Sequence, residues 1–266
     1  MLYLHIFHYI GFFGAQILNS ILLLLIAKRA KKLFGAYRNV MFVFTMCTML
    51  FSWVEIVGQP VMHIKGSMIA LIIDRDVSKE LGELVLCLHC SSFAFLISVF
   101  AAQFFYRYAA MCELKILKFF DGLRIFLIFL PCIVVYAISF EVSYWGSTST
   151  PAKREYLRED LTMRYNLDPE TVPFISFFYW ICDADGVKTW NFKDLVAFGT
   201  YEVIITLVPF ILMYMPIGLV SLLPMFNASL GGFVDYAIAS LAIYPVIEPL
   251  VAMFCIRDFR WTILGC

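Results

Sequence analysis

Three carboxylic acids stand inside long apolar runs, where only a specific role tolerates them. Glu55, Glu141 and Glu248 are costly in a bilayer and normally face the interior of a bundle. Such a group contacts a polar ligand, serves a proton-linked switch, or hydrogen-bonds a neighbouring helix in protonated form. The sequence leaves these readings open. Glu248 lies between Pro245 and Pro249, whose missing backbone donors predict a kink. Tyr106-Arg107-Tyr108 closes another apolar run, where the arginine either holds a switch or snorkels to the interface. Cys87-Leu88-His89-Cys90 has half of a zinc spacing and no second pair, so no metal is expected. His5 and His8 read as interfacial side chains. Phosphate-loop, dinucleotide, zinc-protease and nucleophile-elbow motifs are all absent, and neither an enzyme nor a cofactor is expected.

The elements that position these residues follow from composition. The chain has 266 residues, of which 62% are hydrophobic and 15% charged. Its mean hydropathy is +0.85. Soluble domains run at about 45–50% apolar and about 25% charged, so one soluble core of this length is excluded. Twenty Lys+Arg balance twenty Asp+Glu, which argues against a nucleic-acid partner. An all-α, polytopic transmembrane bundle in the lipid bilayer is the expected fold, as a single domain. Spans are expected at about 2–27, 39–63, 84–106, 125–145, 195–223 and 236–256, with an outer loop over 146–194.

Basic residues set the expected sidedness. Lys28, Arg29, Lys31, Lys32 and Arg38 follow the first span without an acid among them. That loop is expected inside and the N-terminus outside. Arg107, Lys115, Lys118 and Arg124 place the loop after span three inside as well. Cys87 and Cys182 then share the oxidising side, and a disulfide between them would pin the outer loop over the bundle. Beyond residue 195 charge and alternation disagree. With six spans, Phe226–Val234 lies inside without one Lys or Arg, and Arg257 and Arg260 lie outside. One more crossing removes both anomalies. Yet Leu195–Phe226 is shorter than the roughly 40 residues that two helices and a turn require. In the reversed orientation the sequon Asn227-Ala228-Ser229 faces out, very close to the membrane.

Several ordered segments resemble one family. They are Gly35-Ala36-Tyr37-Arg38-Asn39-Val40-Met41, Ser52-Trp53-Val54-Glu55, Pro60-Val61-Met62-His63 and Gln103 through Tyr108. Thr206 to Pro216, Leu222 to Phe226, Tyr244 to Leu250 and Ile256 to Arg260 follow. Together they resemble the nematode Str-type seven-transmembrane chemoreceptors, close to the Srj group. The resemblance implies a rhodopsin-like receptor coupled to a heterotrimeric G protein on the inner face. Its partner outside would be a small odorant or pheromone-like molecule, and its location the ciliary plasma membrane of sensory neurons. Tyr106, Arg107 and Tyr108 would face the G protein, and Pro245, Glu248 and Pro249 would mark the kinked last helix. Glu55, His89 and Glu141 are the candidate pocket residues. The match departs at about Gly199–Val203, where the rest of helix five and the third inner loop are missing. A truncated, non-signalling paralogue or a mispredicted gene model is therefore one alternative, and a small transporter or channel is another.

Overall fold

The computed structural model describes residues 2–28, 37–112, 122–182 and 188–206. Helix α1 (Leu2–Lys28) packs on α2 (Tyr37–Gly58), α2 on α3 (Lys79–Cys112), and α3 on α4 (Leu130–Glu141). A 3-10 segment, Gly122–Phe129, leads into α4, and a π turn, Val142–Gly146, continues it. Four helical stretches among the described residues are long and apolar enough to cross a membrane: Tyr3–Lys28, Arg38–Gly58, Lys79–Gln103 and Arg124–Gly146. Helix α1 shows the logic. His8, Ala15, Asn19, Leu22 and Ile26 recur at helical spacing and are buried, while Ile10, Phe13, Ile17 and Leu24 point away. Phe44, Phe51, Phe93, Ile97, Ile125 and Phe129 join α2, α3 and the fourth span in one apolar core.

The bundle carries a cap that the span pattern does not announce. The second span was expected to run to His63, but α2 stops at Gly58. Gln59 turns left-handed, with φ 42°, and Pro60 has no amide to continue the ladder. The chain instead enters strand β1 (Pro60–Lys65), turns at Gly66, and returns as β2 (Met68–Ile73). Strand β3 (Phe174–Phe178) pairs antiparallel with β2, giving the order β1-β2-β3. The expected loop 146–194 is thus largely regular structure. It also contains α5 (Pro151–Tyr165) and the hairpin β4 (Trp180–Cys182) and β5 (Lys188–Trp190). The third helix extends past both ends of the expected 84–106, and α6 (Phe192–Thr206) begins just before the expected 195.

Local chemistry accounts for the cap. Thr150 caps α5 by accepting from the Lys153 amide at 3.3 Å, Pro151 occupies the first turn, and Asn166 ends the helix at φ 55°. The sheet buries both faces. Met68, Ala70 and Ile72 pack against Leu157 and Leu161 of α5. Their alternates Ile69, Leu71 and Ile73 turn toward the bundle.

Two ion pairs, one fully buried, fasten α5. Lys153 Nζ lies 2.7 Å from Asp194 Oδ2, at the start of α6, and also donates to the Ser176 carbonyl at 2.8 Å. Burial pulls the Lys153 pKa below the usual lysine range, and the Asp194 carboxylate opposes that pull. Asp194 Oδ2 also accepts from the Phe178 amide at 2.9 Å. Arg154 reaches Glu83 of α3 at 3.2 Å and donates to the Pro169 and Val172 carbonyls. Lys153→Met strands the Asp194 charge, and breaking a buried pair from one side costs roughly 3–5 kcal/mol. Thermal unfolding of the purified protein should show that loss. Adding Asp194→Asn, which keeps an acceptor for Phe178, should recover most of it.

Candidate functional site

The sheet roofs a chamber of about 90 Å³ at the capped end of the bundle. Ile69, Leu71, Ile175 and Phe177 form the roof; His89, Cys90 and Phe93 of α3 form one wall. Ser143 of the π turn and Phe198, Tyr201, Glu202 and Ile205 of α6 close the opposite side. The lining is largely apolar, with a few polar groups aimed across it. Backbone packing sets its width. A Cβ on Gly146 would collide with the Ala197 side chain, so glycine is what lets the π turn approach α6. Tyr201 donates its hydroxyl to the Cys90 carbonyl at 3.0 Å, joining α6 to α3.

Behind the wall lies a carboxylate shared by two imidazoles. Glu55 Oε1 is 3.0 Å from His8 Nδ1, and Glu55 Oε2 is 3.0 Å from His89 Nδ1. The three side chains come from α1, α2 and α3, and their exposures are only 1%, 5% and 8% for His8, Glu55 and His89. Of the two candidate pocket residues that meet here, His89 lines the chamber and Glu55 holds it from behind. The Phe51 ring packs beside His89, with centroids 5.7 Å apart. His8 was expected at the interface and is instead buried in this cluster, because a carboxylate in the bundle needs donors. His5 does lie nearer the surface, 3.7 Å from Asp74.

Other expected site residues fall elsewhere. Glu141 points out of the bundle and accepts from the Trp145 indole at 2.8 Å, so it is no part of the chamber. Cys87 is a free, buried thiol, and its expected bridge to Cys182 is not formed. Cys87 packs among Ile73, Leu86 and Ile175 under the sheet, and strand pairing holds the loop in place of a covalent bond. Tyr106 is buried in the bundle core near the far end of α3. The Arg107 and Tyr108 side chains, together with Asn227, Pro245, Glu248 and Pro249, lie outside the described residues. Among those described, no three His, Cys, Asp or Glu groups converge as a metal would require. Reasoning on spans missed Ser143, Phe198 and Tyr201. The apolar run Met68–Ile73, bounded by Gly66 and Asp74, was the signal for the roof.

Comparison with known proteins decides the family. The profile described as "Serpentine type 7TM GPCR chemoreceptor Str" matches residues 4–207 and 203–264. The chain belongs to the Str-type serpentine chemoreceptors. It is similar to "Serpentine receptor class r-10" of Caenorhabditis elegans, 26% identical over 93% of this chain and 86% of that protein. The Caenorhabditis briggsae protein of the same name is 25% identical over 96% and 87%. "G-protein coupled receptor str-33" of C. elegans is 25% identical over 94% and 86%. The helical membrane bundle is thus that of a G-protein-coupled chemoreceptor family, whose members are receptors and not enzymes.

Within this receptor Glu55 organises three helices at once. Glu55→Leu leaves two imidazoles buried without the carboxylate they face, a loss of roughly 3–5 kcal/mol. Thermal unfolding of the protein in nanodiscs should register it, and Glu55→Gln should lose less.

Proposed function

We propose that this receptor detects a small odorant- or pheromone-like molecule in the roofed chamber and works in the ciliary plasma membrane of sensory neurons. The observation that carries this reading is the chamber itself: roofed but partly open, mostly apolar, and lined by few polar groups from several elements. Occupancy favours one arrangement of α3, α6 and the roof, and the population shift is read at the opposite end of the bundle. Helix α3 supplies the connection. It holds His89, Cys90 and Phe93 at the chamber and Tyr106 roughly 25 Å away at the helical rise per residue. Arg107 and Tyr108 then meet the heterotrimeric G protein, and Tyr106, buried in the core, links them to the helix above. Pro245, Glu248 and Pro249 kink the last helix, and Asn227 faces out as a poor glycosylation acceptor. The charge pattern supports the capped end as the outer one.

One specific observation favours a second reading, a shortened and non-signalling receptor. The family profile matches in two pieces that meet at residues 203–207. The alignment with the C. briggsae relative spans 299 positions, more than this chain's 266, so positions of the relative have no counterpart here. Both facts fit a lost fifth helix and third inner loop, the same place where the basic residues ask for another crossing.

Expression in a heterologous cell with a G-protein reporter tests the first reading against an odorant panel. Ile175→Trp, which fills the chamber from the roof, should abolish the response while surface expression holds. Arg107→Ala should keep ligand binding and lose coupling. Silence of the unaltered chain to every compound, despite surface expression, would support the shortened form. Sequencing the transcript across Trp190 to Pro209 shows whether the codons for another helix are present.

A further inference from the structure

The bundle has a second hollow, separate from the chamber and larger. A cleft of about 320 Å³ lies between α2, α3 and the fourth span. Cys47 and Ser92 are small members of its lining, and a longer side chain at either position would fill it. Leu50 of α2 and Ile133 of α4 also line it and are 60% and 56% exposed. They share their helix faces with the exposed side chains of Trp53, Val57, Leu130 and Val134. The cleft therefore opens through the lipid-facing flank of the bundle.

Depth decides what can enter. Leu50 lies 12 residues from Arg38 and 8 from Gly58, the ends of its span. Ser92 lies 13 from Lys79 and 11 from Gln103, and Ile133 lies 9 from Arg124 and 13 from Gly146. All three sit near the middle of their spans. At the helical rise Ser92 is roughly 16–20 Å from either end, and the middle of the hydrocarbon layer is about 15 Å from its surface. Headgroups, ions and water-soluble molecules do not reach that depth, whereas lipid tails surround it. Among the described residues, none that lines the cleft is charged. An empty apolar hollow forfeits dispersion contacts on every wall, and neighbouring chains supply them.

Cleft and chamber share a wall. Phe51 lines the cleft, and its ring packs against those of His89 and Phe93 with centroids 5.7 and 6.1 Å away. Both of those residues line the chamber. Phe51 belongs to the buried aromatic core, where packing leaves little slack, so whatever presses on it also moves the chamber wall.

We propose that one acyl chain of a bilayer phospholipid occupies this cleft and, through Phe51, sets the position of the chamber wall. Chain binding stands on the cleft alone. Its effect on ligand rests on the chamber being the ligand site.

The full chain in nanodiscs tests this, with a phosphatidylcholine that carries a diazirine at mid-chain. Light should attach this lipid to Leu50, Ser92 and Ile133 more heavily than to Ile10 and Phe13 on the exposed face of α1. Ser92→Leu and Ile133→Trp should each remove the cleft label and keep the α1 label. A cleft label no heavier than that on α1, or one that survives both substitutions, overturns the lipid site. So does a diazirine fatty acid that displaces the phospholipid from the cleft. Fluorine on the Phe93 ring then reads the chamber wall without any ligand. Its NMR signal should shift between bilayers of oleoyl chains and of methyl-branched phytanoyl chains. That shift should vanish in Ser92→Leu and in Phe51→Leu, and its persistence in either overturns the coupling. If label and shift behave as expected while Ile175→Trp leaves the odorant response intact, the chamber has failed as the ligand site and the lipid site stands.

Discussion

A buried carboxylate sets the terms for the first half of this bundle. Glu55 cannot leave the apolar interior, because α2 carries it among buried neighbours, and it cannot stay there unpaired. Its two oxygens recruit one imidazole from α1 and one from α3, and the three helices acquire a fixed mutual rotation. Apolar packing alone would permit more slippage, since apolar contacts between helices differ little from contacts with lipid tails. The polar cluster therefore supplies register, and the aromatic core of Phe44, Phe51 and Phe93 fills the space around it.

The capped end obeys the same rule with different groups. Where α2 stops, its last backbone groups need partners, and the strand that follows gives the chain a new ladder. Lys153, Arg154 and Asp194 are buried and Glu83 is half-buried, and each finds an opposite charge across an element boundary. Lys153 and Asp194 join the roof helix α5 to α6, the helix that forms a wall of the chamber. Roof and wall therefore move as a unit, while α3 runs beneath them toward the opposite end of the bundle.

Much of this was legible from residue types. Four spans follow from apolar runs, and Glu55 and His89 stood out as polar groups that an apolar run must justify. Their meeting with His8 was not legible, because helical periodicity places a residue on a face without saying which helix comes next. The roof was obscured for a different reason. Both faces of β2 are buried, so Met68–Ile73 reads as a continuous apolar stretch with no alternation to mark a strand. Glu141 misled by position: it lies near the end of its helix, where an exposed carboxylate reaches Trp145. Cys87 misled by chemistry, because shared compartment is necessary for a disulfide but says nothing of where a side chain points.

The pairing of β2 with β3 also constrains how the protein is made. Ile72 lies opposite Phe174, and α3 and the fourth span separate them in sequence. Both strands must emerge on the same face of the membrane, so those two helices form an out-and-back pair during insertion. The β1–β2 hairpin is synthesised first, and its β2 edge waits unpaired until the fourth span has crossed and α5 has followed. An unpaired strand edge invites pairing with other chains. The nascent receptor thus passes through a stage in which a strand edge lies open to other chains, and the arrival of β3 on β2 ends it.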